Sequence, residues 1–120
     1  MELIFHSLDS ASNKVFFRTT FKKVEDTLIF SDKTDKNTTI YLTKKNKTLL
    51  FERKGNITMQ MVLDLENETL GHYENSNGLS FDFTIKTKKL NIRENLIEME
   101  YALYVEEDEI SIHKIWISLK

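Results

Sequence analysis

The sequence predicts an all-β fold in which about eight to ten antiparallel strands form a single barrel in meander order. Apolar and polar residues alternate along most of the chain, which is the period of a strand with one buried face. The connections between the alternating segments are short and rich in Asn, Asp, Gly and charged residues. No stretch of about ten residues carries a helical apolar stripe, so we expect antiparallel pairing without crossover helices.

The strand assignments follow this alternation from one segment to the next. Every odd position from Ile57 to Leu65 is apolar, and the same pattern recurs from Leu79 to Lys86. Residues 96–106 also fit a strand better than a helix, because a helical face there would include glutamates. The ten predicted strands are 2–8, 14–23, 27–32, 38–43, 48–54, 57–65, 69–75, 79–89, 96–106 and 110–119.

These strands fit one domain over residues 1–120, because a chain of 120 residues has room for one core. One apolar face per strand favours a meander that rolls into a closed barrel and hides its edges. A flattened two-sheet sandwich is the alternative architecture. In the last strand the apolar phase changes between Ile112 and Ile115, which predicts a β-bulge at His113 and Lys114.

Composition excludes several classes of function. The chain has no cysteine, which excludes a disulfide framework, a thiolate metal site and a cysteine nucleophile. Its three glycines, Gly55, Gly71 and Gly78, form neither G-x-G-x-x-G nor a P-loop. The net charge of −2 attracts neither nucleic acid nor an anionic membrane, so we expect neither as a partner. The first residues lack the pattern of a signal peptide, and we expect a cytoplasmic protein.

Five short motifs follow one another from Lys47 onward. They are Phe51-Glu52-Arg53-Lys54-Gly55, Met59-Gln60-Met61, Tyr73-Glu74-Asn75-Ser76-Asn77-Gly78, Thr87-Lys88-Lys89-Leu90 and Glu100-Tyr101-Ala102-Leu103. In these motifs the C-terminal two thirds of the chain resembles the YwiB-like family of small bacterial proteins. The resemblance implies a calycin-like, or lipocalin-like, β-barrel and a bacterial cytoplasmic protein. It implies no activity, because the family has none assigned and a shared fold does not carry function.

Arg53 is the first candidate ligand-binding residue. It shares the phase of Leu49 and Phe51 and is predicted to point into the barrel, where a guanidinium can hold a carboxylate or phosphate in a bidentate grip. A buried arginine without a counter-charge is very costly, so an inward Arg53 needs a partner, either in a ligand or in the fold. An exposed position at the rim is the third alternative. The candidate partners within the fold are tyrosine hydroxyl groups, Asp82, Glu98 and Glu100.

Three tyrosines complete the candidate ligand-binding set. Tyr73, Tyr101 and Tyr104 place hydroxyl groups on otherwise apolar strands, and a ligand cavity needs a few such polar points. Core packing is the alternative interpretation of the same residues, because tyrosine combines an apolar ring with a polar tip.

Nothing in the sequence favours an enzyme. His6, His72 and His113 lie on different predicted strands without the short spacing of metal ligands, so we predict no metal site and no cofactor. The chain contains neither G-x-S-x-G nor H-E-x-x-H, and we expect no catalytic residues.

Charge is uneven along the C-terminal half. Residues 86–93 hold four basic side chains, whereas residues 94–109 hold seven acidic ones and no basic one. If these strands are neighbours, we expect cross-strand ion pairs of Lys86 or Lys88 with Glu98 or Glu100.

Two functions follow from these observations. The first is a binding module that holds a small amphipathic or anionic ligand in or at the mouth of the barrel, with Arg53 and the tyrosines as polar contacts. The alternative is a protein-interaction or structural barrel with a filled core and no ligand, whose partner is another protein or a second copy of the chain. The two functions differ in whether the barrel contains a cavity.

Overall fold

The computed structural model describes residues 1–35 and 37–120, and this part of the chain forms ten β-strands. Each predicted strand corresponds to one observed strand. The strands are β1 Glu2–Asp9, β2 Lys14–Val24, β3 Thr27–Ser31, β4 Thr39–Lys45, β5 Thr48–Lys54, β6 Ile57–Leu63, β7 Thr69–Asn75, β8 Ser80–Ile92, β9 Leu96–Val105 and β10 Asp108–Leu119.

The ten strands form a closed antiparallel barrel in which each strand pairs with its neighbours along the chain. Pairing of β1 with β10, from Leu3 opposite Leu119 to Asp9 opposite His113, closes the barrel. The prediction of an all-β meander barrel is confirmed, and the sandwich alternative is excluded by this closing pair of strands. The described residues contain no helix of the length and apolarity needed to cross a membrane.

The inward positions of the strands fill the middle of the barrel with apolar side chains. Phe5 stacks on Phe17 with 4.8 Å between ring centroids, and Phe30 packs against both rings. The largest fully buried apolar side chains are Leu3, Ile40, Leu42, Leu49, Met61, Leu63, Ile85, Met99 and Ile117. Burial of these alternating side chains provides the main favourable term in folding.

The β-bulge in β10 lies earlier than the sequence predicts. The register with β9 shifts between Glu109 and Ser111 and is continuous from Ser111 to Ser118, so the prediction of a bulge at His113 and Lys114 is wrong. Ile110 at the bulge is 52% exposed. The apolar phase was misleading because polar Ser111 and His113, rather than Ile110 and Ile112, take the inward positions at this end of β10.

A second bulge, in β8, changes the ion pairs between strands. The register with β9 shifts between Thr87 and Lys89, which places Lys89 opposite Glu100. Glu98 pairs with Lys89 at 3.2 Å and Glu100 pairs with Lys114 at 3.8 Å. The predicted ion pairs of Lys86 and Lys88 are therefore wrong. The bulge places Lys89 instead of Lys88 opposite Glu100, and Lys86, which lies before the bulge opposite Ala102, pairs with Glu68 at 3.4 Å.

The antiparallel order assigns the turns to two ends of the barrel. The turns after β2, β4, β6 and β8 lie at the end that also holds Met1 and Lys120, which we call the terminal end. The turns after the odd-numbered strands lie at the other end, which we call the Arg53 end because Arg53 lies near the end of β5 there.

Candidate ligand-binding site

A cavity of about 630 Å³ opens at the terminal end of the barrel. Its floor is apolar and is formed by the buried side chains of Leu28, Leu42, Leu49 and Ile97. The other lining residues are Met1, Phe21, Lys23, Asp26, Lys44, Ile92, Arg93, Glu94, Asn95, Leu119 and Lys120. A volume of this size lies within the range of small-molecule pockets, roughly 300–1,000 Å³.

The rim of the cavity is predominantly basic. Lys23, Lys44, Arg93 and Lys120 line it, against the acidic side chains of Asp26 and Glu94. The excess of positive charge around an apolar floor favours an anionic group at the mouth and an apolar body inside.

Strand periodicity explains why lysines stand at this rim. Lys23 follows Phe21 in the inward phase of β2, and Lys44 follows Leu42 in the inward phase of β4. Each strand therefore continues its inward row past the core and ends it with an ammonium group at the mouth. Sequence reasoning missed these residues, although an inward row that ends in lysine on two strands was a usable signal.

The guanidinium of Arg53 points into the barrel at the Arg53 end and forms an ion pair with Asp32. Asp32 is 4% exposed by its side chain, and it also accepts hydrogen bonds from the Thr34 amide at 2.8 Å and the Thr34 hydroxyl at 2.6 Å. Arg53 Nε is buried and has no hydrogen-bond partner among the described residues. The inward direction is the one predicted from the sequence, but Asp32 is not among the predicted partners.

The partners suggested for Arg53 lie elsewhere. Glu98 and Glu100 form ion pairs with Lys89 and Lys114. The carboxylate of Asp82 lies 2.6 Å from Nδ1 of His72. Asp32 was not predicted as the partner, although it is the last residue of the predicted strand 27–32 and shares the phase of Leu28 and Phe30.

Of the three candidate tyrosines, Tyr101 is the one that lies buried in the apolar core. Tyr101 is 4% exposed, and its ring stacks on His113 with 5.2 Å between centroids. Burial raises the pKa of Tyr101 well above its usual value, and the nearby positive charge of Arg53 opposes that shift. Burial also lowers the pKa of His113, while Asp9 opposes that shift.

The other two tyrosines lie on opposite faces of the barrel wall, Tyr73 on the inner face and Tyr104 on the outer face. Tyr73 lies in the cross-strand row that runs from Arg53 through Met59, and it stacks on Phe81 at 5.0 Å. Tyr104 lies on the outer surface, where its hydroxyl donates to Glu109 at 3.1 Å and Lys86 lies 4.4 Å from its ring centroid. None of the four candidate residues lines the cavity, and their role as ligand contacts stays a prediction.

The three histidines do not converge. His6 lies on the outer surface between Phe16 and Trp116, His72 lies on the outer surface of β7, and His113 lies inside. Within residues 1–35 and 37–120 no group of three or more His, Asp or Glu side chains is arranged to hold a metal ion.

Fold and cavity together define a class of protein: a closed ten-stranded barrel of calycin-like type with an opening at one end. Residues 11–117 match the family described as a domain of unknown function, DUF1934, and the chain belongs to this family.

The crystal structure of the YwiB protein from Bacillus subtilis is similar to this structure. The TM-score is 0.64 at 13% sequence identity, over 99% of this chain and 90% of the other. At this identity the similarity concerns the fold alone. No curated protein matches the sequence.

Proposed function

We propose that this protein binds a small amphipathic anion in the cavity at the terminal end of the barrel, and that it binds without catalysing a reaction. The observation that carries the proposal is the pairing of an apolar floor with a basic rim in one cavity. An anionic group at the rim contacts lysines and arginine in water, while the apolar body displaces water from the leucines of the floor.

The cavity also limits what kind of ligand fits. The middle of the barrel is filled by the aromatic cluster of Phe5, Phe17 and Phe30, so the ligand does not pass through to the Arg53 end. We therefore propose one compact ligand at one end rather than a long chain that threads the barrel.

The test is a fluorescence titration with anilinonaphthalene sulfonate, an amphipathic anion, on the natural protein and two double variants. Lys23→Glu/Lys44→Glu reverses two charges of the rim. Lys22→Glu/Lys45→Glu makes the same change of net charge at exposed positions of the same strands that do not line the cavity. We expect binding to weaken by about tenfold or more in the first variant and by less than about twofold in the second.

A neutral probe separates charge from shape. Phenylnaphthylamine, which lacks the sulfonate, is expected to bind the natural protein and the rim variant with similar affinity. No saturable binding of the anionic probe to the folded natural protein would overturn the proposal, and so would equal losses in the two double variants. Native mass spectrometry of freshly purified protein then identifies any ligand that is retained during purification.

A further inference from the structure

Strand β2 is much longer than its neighbour β3, so β3 covers only part of one edge of β2. β2 runs from Lys14 to Val24, but only its last four residues pair with β3, from Phe21 opposite Phe30 to Val24 opposite Thr27. On its other edge β2 pairs with β1 from Lys14 to Thr20. The first half of β2 therefore has a partner strand on one side only, although the barrel is closed.

Two hydrogen bonds establish which backbone groups face the uncovered side. The amide of Asp9 donates to the carbonyl of Asn13 at 3.1 Å, and the amide of Phe21 donates to the carbonyl of Met1 at 3.3 Å. The backbone amides and carbonyls of the odd-numbered residues of β2 thus bond to β1. Because the direction of the backbone groups alternates along a strand, the amides and carbonyls of Lys14, Phe16 and Arg18 point to the opposite side. No backbone partner among residues 1–35 and 37–120 meets them there.

The side chains along this edge carry a distinct pattern. Lys14, Phe16 and Arg18 are exposed on the outer face, with Phe16 61% exposed between the two basic residues. Arg18 lies 3.8 Å from Glu2, a pair of exposed groups that contributes little and leaves Arg18 free to change partners. Val15 is half-buried although it shares the inward phase of buried Phe17, as expected beside an uncovered edge.

We propose that the edge from Lys14 to Arg18 accepts an extended segment of another protein as an added antiparallel strand. The backbone groups of Lys14, Phe16 and Arg18 supply the hydrogen bonds of the new ladder. The side chains select a segment with an acidic, an apolar and an acidic residue at alternate positions, because these lie beside Lys14, Phe16 and Arg18. This inference is independent of the cavity, which lies at the terminal end.

Amide hydrogen exchange measured by NMR tests the edge directly. In the free protein the amides of Lys14, Phe16 and Arg18 are expected to exchange fast, whereas those of Val15, Phe17 and Thr19 are protected by β1. Addition of the peptide Glu-Thr-Val-Thr-Glu, blocked at both ends, is expected to slow the three even-numbered amides selectively. A peptide in which lysine replaces both glutamates is expected to have no such effect.

Three variants separate backbone pairing from charge. Phe16→Pro removes the central edge amide without removing a bond to β1, and it is compared with Phe16→Ala, which keeps the amide. We expect fluorescence anisotropy to show about tenfold weaker peptide binding for the proline variant than for the alanine variant. Lys14→Glu/Arg18→Glu keeps the backbone amides and is expected to lose affinity for the acidic peptide and to bind the lysine peptide instead. This test does not depend on whether Phe16→Pro folds.

Several outcomes would overturn the inference. One is protection of the three even-numbered amides in the free protein at all concentrations, which would mean that the edge is already covered. Another is protection that rises with protein concentration, which would assign the edge to a second copy of the chain. A third is equal binding of the acidic and lysine peptides.

Discussion

Arg53 and Asp32 illustrate how a buried charge is tolerated in an apolar barrel. The guanidinium lies on the inward row of β5, and the carboxylate approaches it from the turn after β3, 21 residues earlier in the chain. Gly55, two residues after Arg53, makes room for this turn, because a Cβ there would lie 2.8 Å from the carbonyl oxygen of Asn37. The pair thus links β5 to the turn after β3 at the Arg53 end.

Removing one partner of this pair is expected to destabilise the fold. Arg53→Met leaves the Asp32 carboxylate buried without its counter-charge. We expect urea denaturation to show a decrease of about 2–3 kcal/mol in the free energy of unfolding, which is moderate because Arg53 is partly hydrated in the natural protein. Asp32→Asn/Arg53→Met is expected to recover at least about half of that loss, since the amide still accepts from Thr34. The matched control is Arg18→Met, which breaks an exposed pair and is expected to cost about 0–1 kcal/mol. A neutral effect of Arg53→Met would contradict the role of the pair.

His72 lies between two carboxylates on the outer surface. Its Nδ1 is 2.6 Å from Asp82 and its Nε2 is 3.1 Å from Glu74, and the hydroxyl of Ser80 lies 3.3 Å from Nε2. The hydrogen bonds to Asp82 and then to Glu74 raise the pKa of His72 above its ordinary value of 6.5. The protonated imidazole is therefore favoured in the folded state.

This shift predicts a pH dependence of stability with a definite sign. The contribution of His72 is fully present below pH 6.5 and is lost as the pH rises through the raised value in the folded protein. Urea midpoints measured upward from pH 6.5 are expected to fall in the natural protein and to fall less in His72→Gln and in Asp82→Asn. The pKa of His113 is lowered, so its ionisation decreases the stability of the fold only as the pH falls below 6.5. Measurements above pH 6.5 therefore report the effect of His72 without that of His113. An unchanged profile in His72→Gln would contradict the assignment.

At the scale of the element, the hairpins depend on unusual turn residues. The two-residue turns after β2, β4 and β9 begin with Glu25, Asn46 and Glu106, whose φ angles are 54°, 52° and 58°. Asparagine is common in this left-handed region, but glutamate is not. Polarity predicted a turn at each of the three places, although Glu106 was assigned to the preceding strand. The backbone conformation of the glutamates could not be predicted, because it follows from the pairing of the flanking strands.

Gly71 in β7 leaves space for a side chain of the neighbouring strand. The pairing of β7 with β8 is continuous through Gly71, whereas the pairing of β7 with β6 ends at His72 opposite Gln60. Gly71 is buried opposite Phe83, and a Cβ at Gly71 would lie 2.5 Å from the Phe83 ring. The missing side chain gives space to the aromatic ring on the neighbouring strand.

Gly71→Ala is accordingly expected to destabilise the protein by about 1–3 kcal/mol, because the Phe83 ring is buried and cannot move away. Thermal and urea denaturation measure the loss. In the background of Phe83→Leu, which shortens the opposing side chain, the same substitution is expected to cost less than half as much. Equal costs in the two backgrounds would show that the clash with Phe83 is not the cause.

At the scale of the whole molecule, alternation predicted most of the fold. Ten strands, their order and the meander topology followed from the period of two and the short polar turns, because each hairpin is specified by neighbouring residues. Closure followed from the need to cover the outer edges of β1 and β10. The two bulges, at Ile110 and Lys88, did not follow, since a bulge depends on how two strands fit each other in three dimensions.

The candidate site was less predictable than the fold. Arg53 does point into the barrel, as its phase predicted, and Tyr101 is buried in the core, but Tyr104 lies outside and Asp32 was not predicted. The cavity at the terminal end gathers side chains from seven strands and from the turns after β2 and β8. Apart from the inward rows that end in Lys23 and Lys44, no local pattern marks such a set, because its members are distant in the chain.

The strands, their apolar faces and the antiparallel order followed from the amino-acid sequence alone, since these depend on alternation and on turn residues that lie close together in the chain. The partner that neutralises Arg53, the position of the open end of the barrel and the uncovered edge of β2 became apparent only in three dimensions. These features depend on strand lengths and registers around the closed barrel, where residues far apart in the chain share one space.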